Sequence, residues 1–164
     1  PDASTVGFTY DATGKRLSMT DGWGTTTYAY DALNRLIQVD GPAEHDTIAY
    51  AYDAIGNRIE MVDHDGGLTT YRYDALNRLA SLTTPQRETA TYAYDNVSNL
   101  IRMDYPNATQ ATYTYDQLNR LINLVNRRTA PMNNQDEVIS SYAYQYDASG
   151  MRTNVTLNDG DDIL

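Results

Sequence analysis

The chain has 164 residues, with 12 Lys and Arg against 22 Asp and Glu, a formal charge of −10 and a pI near 4.4. That balance excludes a nucleic-acid partner, whose phosphates need clustered cations. A mean hydropathy of −0.60 without long apolar runs leaves no membrane-inserting helix, and the absence of Cys removes disulfides, thiolate metal sites and a Cys nucleophile together.

Fifteen of the seventeen aromatic residues are Tyr, and their spacing is periodic. Tyr-Asp recurs at Tyr10-Asp11, Tyr30-Asp31, Tyr52-Asp53, Tyr73-Asp74, Tyr94-Asp95, Tyr115-Asp116 and Tyr146-Asp147, with Asp-to-Asp intervals of 20, 22, 21, 21, 21 and 31 residues. The chain therefore reads as one array, residues 1–164, of seven units of about 21 residues. The long last interval is read as an enlarged surface loop over residues 126–138.

Positions are numbered here from each Asp as zero. A second aromatic stands at −3: Phe8, Tyr28, Tyr50, Tyr71, Tyr92, Tyr113 and Tyr144. Position +3 holds Gly14, Asn34, Gly56, Asn77, Ser98, Asn119 or Gly150. Position +6 holds Leu17, Ile37, Ile59, Ala80, Ile101, Ile122 or Thr153, and +8 holds Met19, Val39, Met61, Leu82, Met103, Leu124 or Val155.

Each unit predicts a β-hairpin. The Thr-rich run before the Tyr has high β propensity and alternates its aromatics onto one face, and the run after the turn alternates as well. Asp at the first turn position and Gly or Asn three residues later fit a type I turn followed by a left-handed residue. The fold class is all-β, an antiparallel meander of about fourteen short strands curved into a spiral strip or partial barrel, since open sheets beyond about ten strands curl. Register has two solutions. A strict three-residue loop with a bulge splits the Tyr and apolar sets between faces; a shared face, favoured by the hydrophobic pattern, packs them together.

A weaker alternation overlies the repeat. Units two, four and six place Arg at +4 (Arg35, Arg78, Arg120), whereas units one, three and seven place it at +5 (Arg16, Arg58, Arg152). One step along a strand reverses the face, so a true period of two hairpins is expected, with the two Arg sets on opposite faces. Connections at the other edge, such as Asp21-Gly22, Asp40-Gly41-Pro42, Thr84-Pro85 and Tyr105-Pro106, are variable turn punctuation. One edge of the sheet thus reads as regular and the other as irregular.

The motif Tyr-Asp-Ala-Leu-Asn-Arg-Leu, at Tyr30–Leu36 and Tyr73–Leu79, resembles the Rhs/YD-repeat family, and the likeness runs over about residues 6–160. It implies a hairpin strip that spirals into a hollow shell, as in bacterial polymorphic toxins, insecticidal toxin complexes and teneurin-like ectodomains. By that resemblance the chain is a fragment of a longer array. Its partners would be further repeats of the parent chain or other copies end to end, an enclosed toxin domain, or glycans, and it would be secreted or on a bacterial cell surface. A structural, non-catalytic wall segment is the leading function; a carbohydrate- or surface-binding module and an extracellular fibre are the alternatives.

Chemistry-bearing motifs are weak. No nucleophile elbow, phosphate loop or His-Glu-x-x-His is present, so neither catalytic residue, cofactor nor metal is assigned. Asp63–Gly67 and Asn158–Asp162 offer oxygen ligands without the spacing of a calcium loop, and His45 and His64 lack partners at a metal-binding spacing. The seven Tyr-Asp pairs read as structural, Tyr packing and Asp receiving turn N–H groups. Trp23 reads as a packed loop residue, with stacking on sugar as its rival. Asn96, Asn107 and Asn154 match the glycosylation acceptor pattern. The edge runs Val6–Tyr10 and Val155–Leu157 lack the usual defences against strand pairing.

Overall fold

A computed structural model of the chain describes residues 5–44, 46–129 and 137–158. Among these residues every regular element is a strand: β1 Gly7–Tyr10, β2 Arg16–Asp21, β3 Gly24–Tyr30, β4 Leu36–Asp40, β5 Thr47–Tyr52, β6 Arg58–Val62 and β7 Leu68–Tyr73. There follow β8 Leu79–Thr83, β9 Thr89–Tyr94, β10 Leu100–Asp104, β11 Thr109–Tyr115, β12 Leu121–Arg128, β13 Glu137–Tyr146 and β14 Arg152–Asn158. The strands lie in sequence order in one antiparallel sheet, a hairpin meander. The chain divides into two compact units, Pro1–Arg78 with Leu82–Arg87, and Leu79–Ser81 with Glu88–Leu164.

Register joins the two solutions that the sequence offered as alternatives. Each Tyr-Asp turn closes with the Asp N–H on the +4 carbonyl and the +3 N–H on the Asp carbonyl, as in Asp53 N to Asn57 O at 2.9 Å and Gly56 N to Asp53 O at 3.2 Å. The residue at +3 sits at positive φ in all seven turns, for example 64° at Asn34, 100° at Gly56 and 71° at Ser98. This bulged loop displaces the pairing by one. A second bulge then restores it: Tyr10 pairs with Arg16 but Thr9 pairs with Ser18, which leaves Leu17 extra. The same skip recurs at Ile37, Ile59, Ile101, Ile122 and Thr153. As a result −3 faces +8 directly, in Phe8↔Met19, Tyr28↔Val39, Tyr50↔Met61, Tyr92↔Met103, Tyr113↔Leu124 and Tyr144↔Val155. Aromatic and apolar sets share one face.

The extra residues of the last interval lengthen a hairpin more than they enlarge a loop. Asn126, Arg127 and Arg128 continue β12 and pair with Ser140, Val138 and Glu137 of β13, so the ends of the expected 126–138 loop are strand. Residues 130–136 lie outside the described residues.

No second layer covers the sheet among the described residues. Ala111 and Thr69 are the buried side chains, and no large side chain is fully enclosed. Cross-strand pairs, cation–aromatic stacks and hydrogen bonds therefore hold each unit, rather than a closed apolar core. The strands at the two ends of the order, β1 and β14, are exposed along their whole length.

Candidate functional site

The repeated Tyr-Asp turn is the most elaborated place in the molecule. The Asp Oδ1 accepts two N–H groups of its own turn, from +2 and +4. At Asp31 these come from Leu33 and Arg35, both at 2.9 Å, and at Asp147 from Ser149 and Met151, both at 2.9 Å. Asp11, Asp53, Asp74, Asp95 and Asp116 repeat the pair. Oδ2 takes the +4 side chain: Arg35 and Arg120 Nε at 2.7 Å, Arg78 Nε at 2.8 Å, and Asn57 and Asn99 Nδ2 at 3.0 and 2.9 Å.

These donors hold the carboxylates below their ordinary pKa. The leading donor is the Thr13 hydroxyl at Asp11, the Arg35 N–H at Asp31, the Arg78 guanidinium at Asp74, the Arg120 N–H at Asp116 and the Ser149 hydroxyl at Asp147. At Asp53 partial burial opposes the shift, but the Asn57 N–H and amide outweigh it.

The Tyr at −1 works on the preceding hairpin. Its hydroxyl donates to the carbonyl of that hairpin's +5 residue, the first residue of the second bulge. Tyr30 reaches Arg16 O at 3.0 Å, Tyr52 reaches Leu36 O at 2.8 Å and Tyr73 reaches Arg58 O at 2.9 Å. Tyr94, Tyr115 and Tyr146 do the same with Leu79, Leu100 and Leu121 at 3.0, 2.9 and 2.8 Å. Asp thus closes its own turn while Tyr ties that turn to its neighbour. The sequence carried a trace of this: −3 admits Phe8, whereas all seven −1 positions are Tyr.

Arginine completes the tie, and here the expectation of opposite faces is overturned. Arg35 and Arg120 at +4 stack on the next −1 rings, Tyr52 at 4.7 Å and Tyr146 at 4.8 Å. Arg16 and Arg58 at +5 lie between −3 rings: Arg16 is 4.7 Å from Phe8 and 5.6 Å from Tyr28, Arg58 is 5.7 Å from Tyr50 and 4.5 Å from Tyr71. Positions −1 and −3 share a face, so both Arg sets do; the +4 residues Arg35, Arg78 and Arg120 stand in the turn, just before the strands that open at Leu36, Leu79 and Leu121, so strand alternation does not separate them from +5. The two-hairpin period survives as alternating rungs between turns. Arg35 and Arg120 Nη1 donate to the next Asp carbonyl, Asp53 at 2.8 Å and Asp147 at 3.4 Å. Asn57 and Asn99 Nδ2 instead donate to the next +3 side chain, Asn77 Oδ1 at 3.4 Å and Asn119 Oδ1 at 3.0 Å.

The opposite edge is more regular in backbone than its sequence indicates. The turn at Asp63 closes with the same two bonds, the turn at Tyr105 with the first of them, Tyr105 N to Thr109 O at 2.9 Å, and Arg87 N donates to Thr84 O in the third. Their left-handed positions are Gly66, Arg87 and Ala108, at φ 78°, 65° and 59°. Asp63 Oδ1 accepts Asp65 N–H at 3.1 Å and Gly67 N–H at 2.7 Å, so that acidic stretch is a turn of the Tyr-Asp kind. His64 pairs with Asp65 at 3.2 Å in the open, beside a shallow hollow of about 540 Å³ lined by Thr47, Ala49 and Val62. Among the described residues no three His, Asp or Glu converge as metal ligands. His45 and Asp159–Asp162 lie outside the described residues.

Trp23 is 78 % exposed at the tip of the two-residue β2–β3 turn and is not packed; its backbone N–H donates to Asp21 Oδ1 at 2.8 Å. Gly24 beside it, at φ 135°, lies so close to Pro42 that a Cβ there would come within 2.5 Å of the proline Cβ. Asn96 lies in the β9–β10 turn, Asn107 accepts the Thr109 N–H and hydroxyl at 3.2 and 2.7 Å, and Asn154 lies on β14 opposite Gln145.

A meander of hairpins, each fastened to the one before by a tyrosine hydroxyl, defines a β-hairpin repeat protein. The family model for the RHS repeat matches residues 10–45 and 52–89. Those two segments match the RHS repeat, in keeping with the resemblance read from the Tyr-Asp motif. The chain is similar to crystal structures of TcdB2–TccC3, at 25 % identity over 94 % of this chain with a TM-score of 0.75, and of TcdB2–TccC3 without the hypervariable C-terminal region, at 25 % over 95 % with a TM-score of 0.76. The Photorhabdus luminescens Tc holotoxin pore bearing a TccC3 mutation matches at 25 % over 94 %, TM-score 0.76. The chain spans 9 % of the length of each of these. No curated protein matches it.

Proposed function

We propose that this chain is a structural, non-catalytic wall segment of a larger secreted or surface-exposed repeat protein of the toxin-encapsulating kind. The observation that carries the reading is the hydroxyl-to-carbonyl tie repeated at six successive Tyr residues. It spends the Tyr-Asp pairs on joining hairpins and leaves no convergent set of reactive groups on the turns. The likeness to TcdB2–TccC3 supports a strip that curves around an enclosed toxin domain, with further repeats of the parent chain as its neighbours.

Electron microscopy of the full-length parent protein tests this: a hollow particle is expected, and a filament would replace the shell by the fibre. Trp23 keeps the carbohydrate- or surface-binding reading in play, because an indole 78 % exposed is a ready stacking plate. The repeat Tyr residues do not extend that plate, since they face the apolar positions. A glycan array is expected to stay at background; binding lost in Trp23→Ala would establish the second reading instead.

A further inference from the structure

Five of the seven Tyr-Asp turns hold an aliphatic residue out to solvent at +2. They are Leu33, Ile55 and Leu76 in the N-terminal unit and Val97 and Leu118 in the C-terminal one, each between 64 % and 71 % exposed. The turn does not need them. Thr13 and Ser149 occupy +2 elsewhere, and their hydroxyls bond the turn Asp.

In the N-terminal unit this crest is also where the acidic charge is balanced by cations. Its turns combine Asp11, Asp31, Asp53 and Asp74 with Lys15, Arg16, Arg35, Arg58 and Arg78. The opposite edge sets Asp21, Asp40, Glu44, Asp46, Asp63 and Asp65 against Arg87 alone. Strands of five to seven residues separate the two edges, by about 17–23 Å at 3.3 Å per residue. That is more than twice the Debye length of about 8 Å at physiological salt. Two copies that meet crest to crest therefore escape the repulsion of the acidic edges. Crest against acidic edge would instead strip water from carboxylates facing Leu.

We propose that the crest of Leu33, Ile55 and Leu76 is a contact surface for the same crest of a second copy of this chain, an isologous pairing. Successive tips stand two strands apart, about 9.6 Å, and exposed Ala32, Ala54 and Ala75 at +1 leave room for a partner tip between them. Three tips cover less than the about 800 Å² per partner of a standard interface, so the pairing is weak in one unit and strengthens with repeat number.

The pairing is independent of whether the parent protein is a shell. Because the chain lacks Cys, single cysteines report it cleanly. Ala54→Cys on the crest, Asp65→Cys on the acidic edge and Val155→Cys on β14 are treated with a short bis-maleimide at matched concentration. Ala54→Cys is expected to form covalent dimers about tenfold faster than the other two, as a 1.4 kcal/mol preference gives, with little change on added salt. Leu33→Ser with Ile55→Ser and Leu76→Ser should erase that advantage, and Ile55→Lys alone should do so if the triple variant unfolds. Equal rates at the three positions, fastest reaction at Val155→Cys, no dimer at any site, or an advantage that survives both crest variants would each overturn the proposal.

Discussion

The turns at Asp53 and at Tyr105 share a backbone, each closed by an N–H on the carbonyl four residues on, yet their side chains do different jobs. At Asp53 the carboxylate takes two N–H groups and the Asn57 amide, and Tyr52 beside it bonds the previous hairpin. At Tyr105 the hydroxyl meets the Met103 sulfur at 3.8 Å, and a non-glycine, Ala108, stands in the left-handed position. One row of turns joins neighbours through a repeated side-chain tie; the other has no such repeated tie among the described residues. The contrast shows that the Tyr-Asp signature does not make the turn. It makes the turn adhesive.

The largest effect expected from breaking that contrast is acid loss of the fold. Asp11, Asp31, Asp53, Asp74, Asp116 and Asp147 all sit below the ordinary 3.8 in the folded chain. A depressed folded pKa contributes stability above the unfolded value and loses it as pH falls through the folded one. Circular dichroism should therefore stay flat from pH 7 to pH 5 and collapse only below about pH 4; a midpoint above pH 5 would contradict it.

Next in size, Tyr52→Ala removes the hydroxyl tie and the ring under Arg35 and should cost about 2–3 kcal/mol in urea unfolding. Tyr105→Ala, on the other edge, should cost under about 1 kcal/mol. Gly56→Ala places a Cβ at φ 100° and should cost about 1–2 kcal/mol, whereas Ala108→Gly relieves a left-handed residue and should stabilise by up to about 1 kcal/mol. Tyr52→Phe isolates the hydroxyl and should cost about 1 kcal/mol. Smallest of all, Arg128→Ala breaks an exposed pair with Glu137 and should shift the midpoint by less than about 0.5 kcal/mol.

The strands, the turn type and the face shared by Tyr28 and Val39 were legible because each follows from local alternation and from residues that tolerate positive φ. The second bulge was not. Leu17 and Ile37 look like ordinary strand residues, and only pairing to the partner strand reveals that they are skipped. The Arg faces were misplaced for a different reason: Arg35, Arg78 and Arg120 precede the strands that open at Leu36, Leu79 and Leu121, where alternation does not yet apply. The turns at Thr84-Pro85 and Tyr105-Pro106 were legible, but their left-handed positions, Arg87 and Ala108, were not, because neither residue type advertises a positive φ. Trp23 was expected inside because a large indole usually packs, but it stands 78 % exposed at the tip of a two-residue turn, on a sheet with no second layer among the described residues. The hydroxyl ties were half visible, in the exclusive use of Tyr at −1, but their acceptors are backbone atoms that no side-chain pattern records.

The six hydroxyl ties all point the same way along the chain. Five reach back 14 to 16 residues and the sixth 25. During synthesis, then, every acceptor exists before its donor leaves the ribosome, and no hairpin waits for a distant partner. Contacts of such short sequence separation form quickly, so the strip can set hairpin by hairpin at the pace of translation, each new tyrosine finding a finished carbonyl behind it.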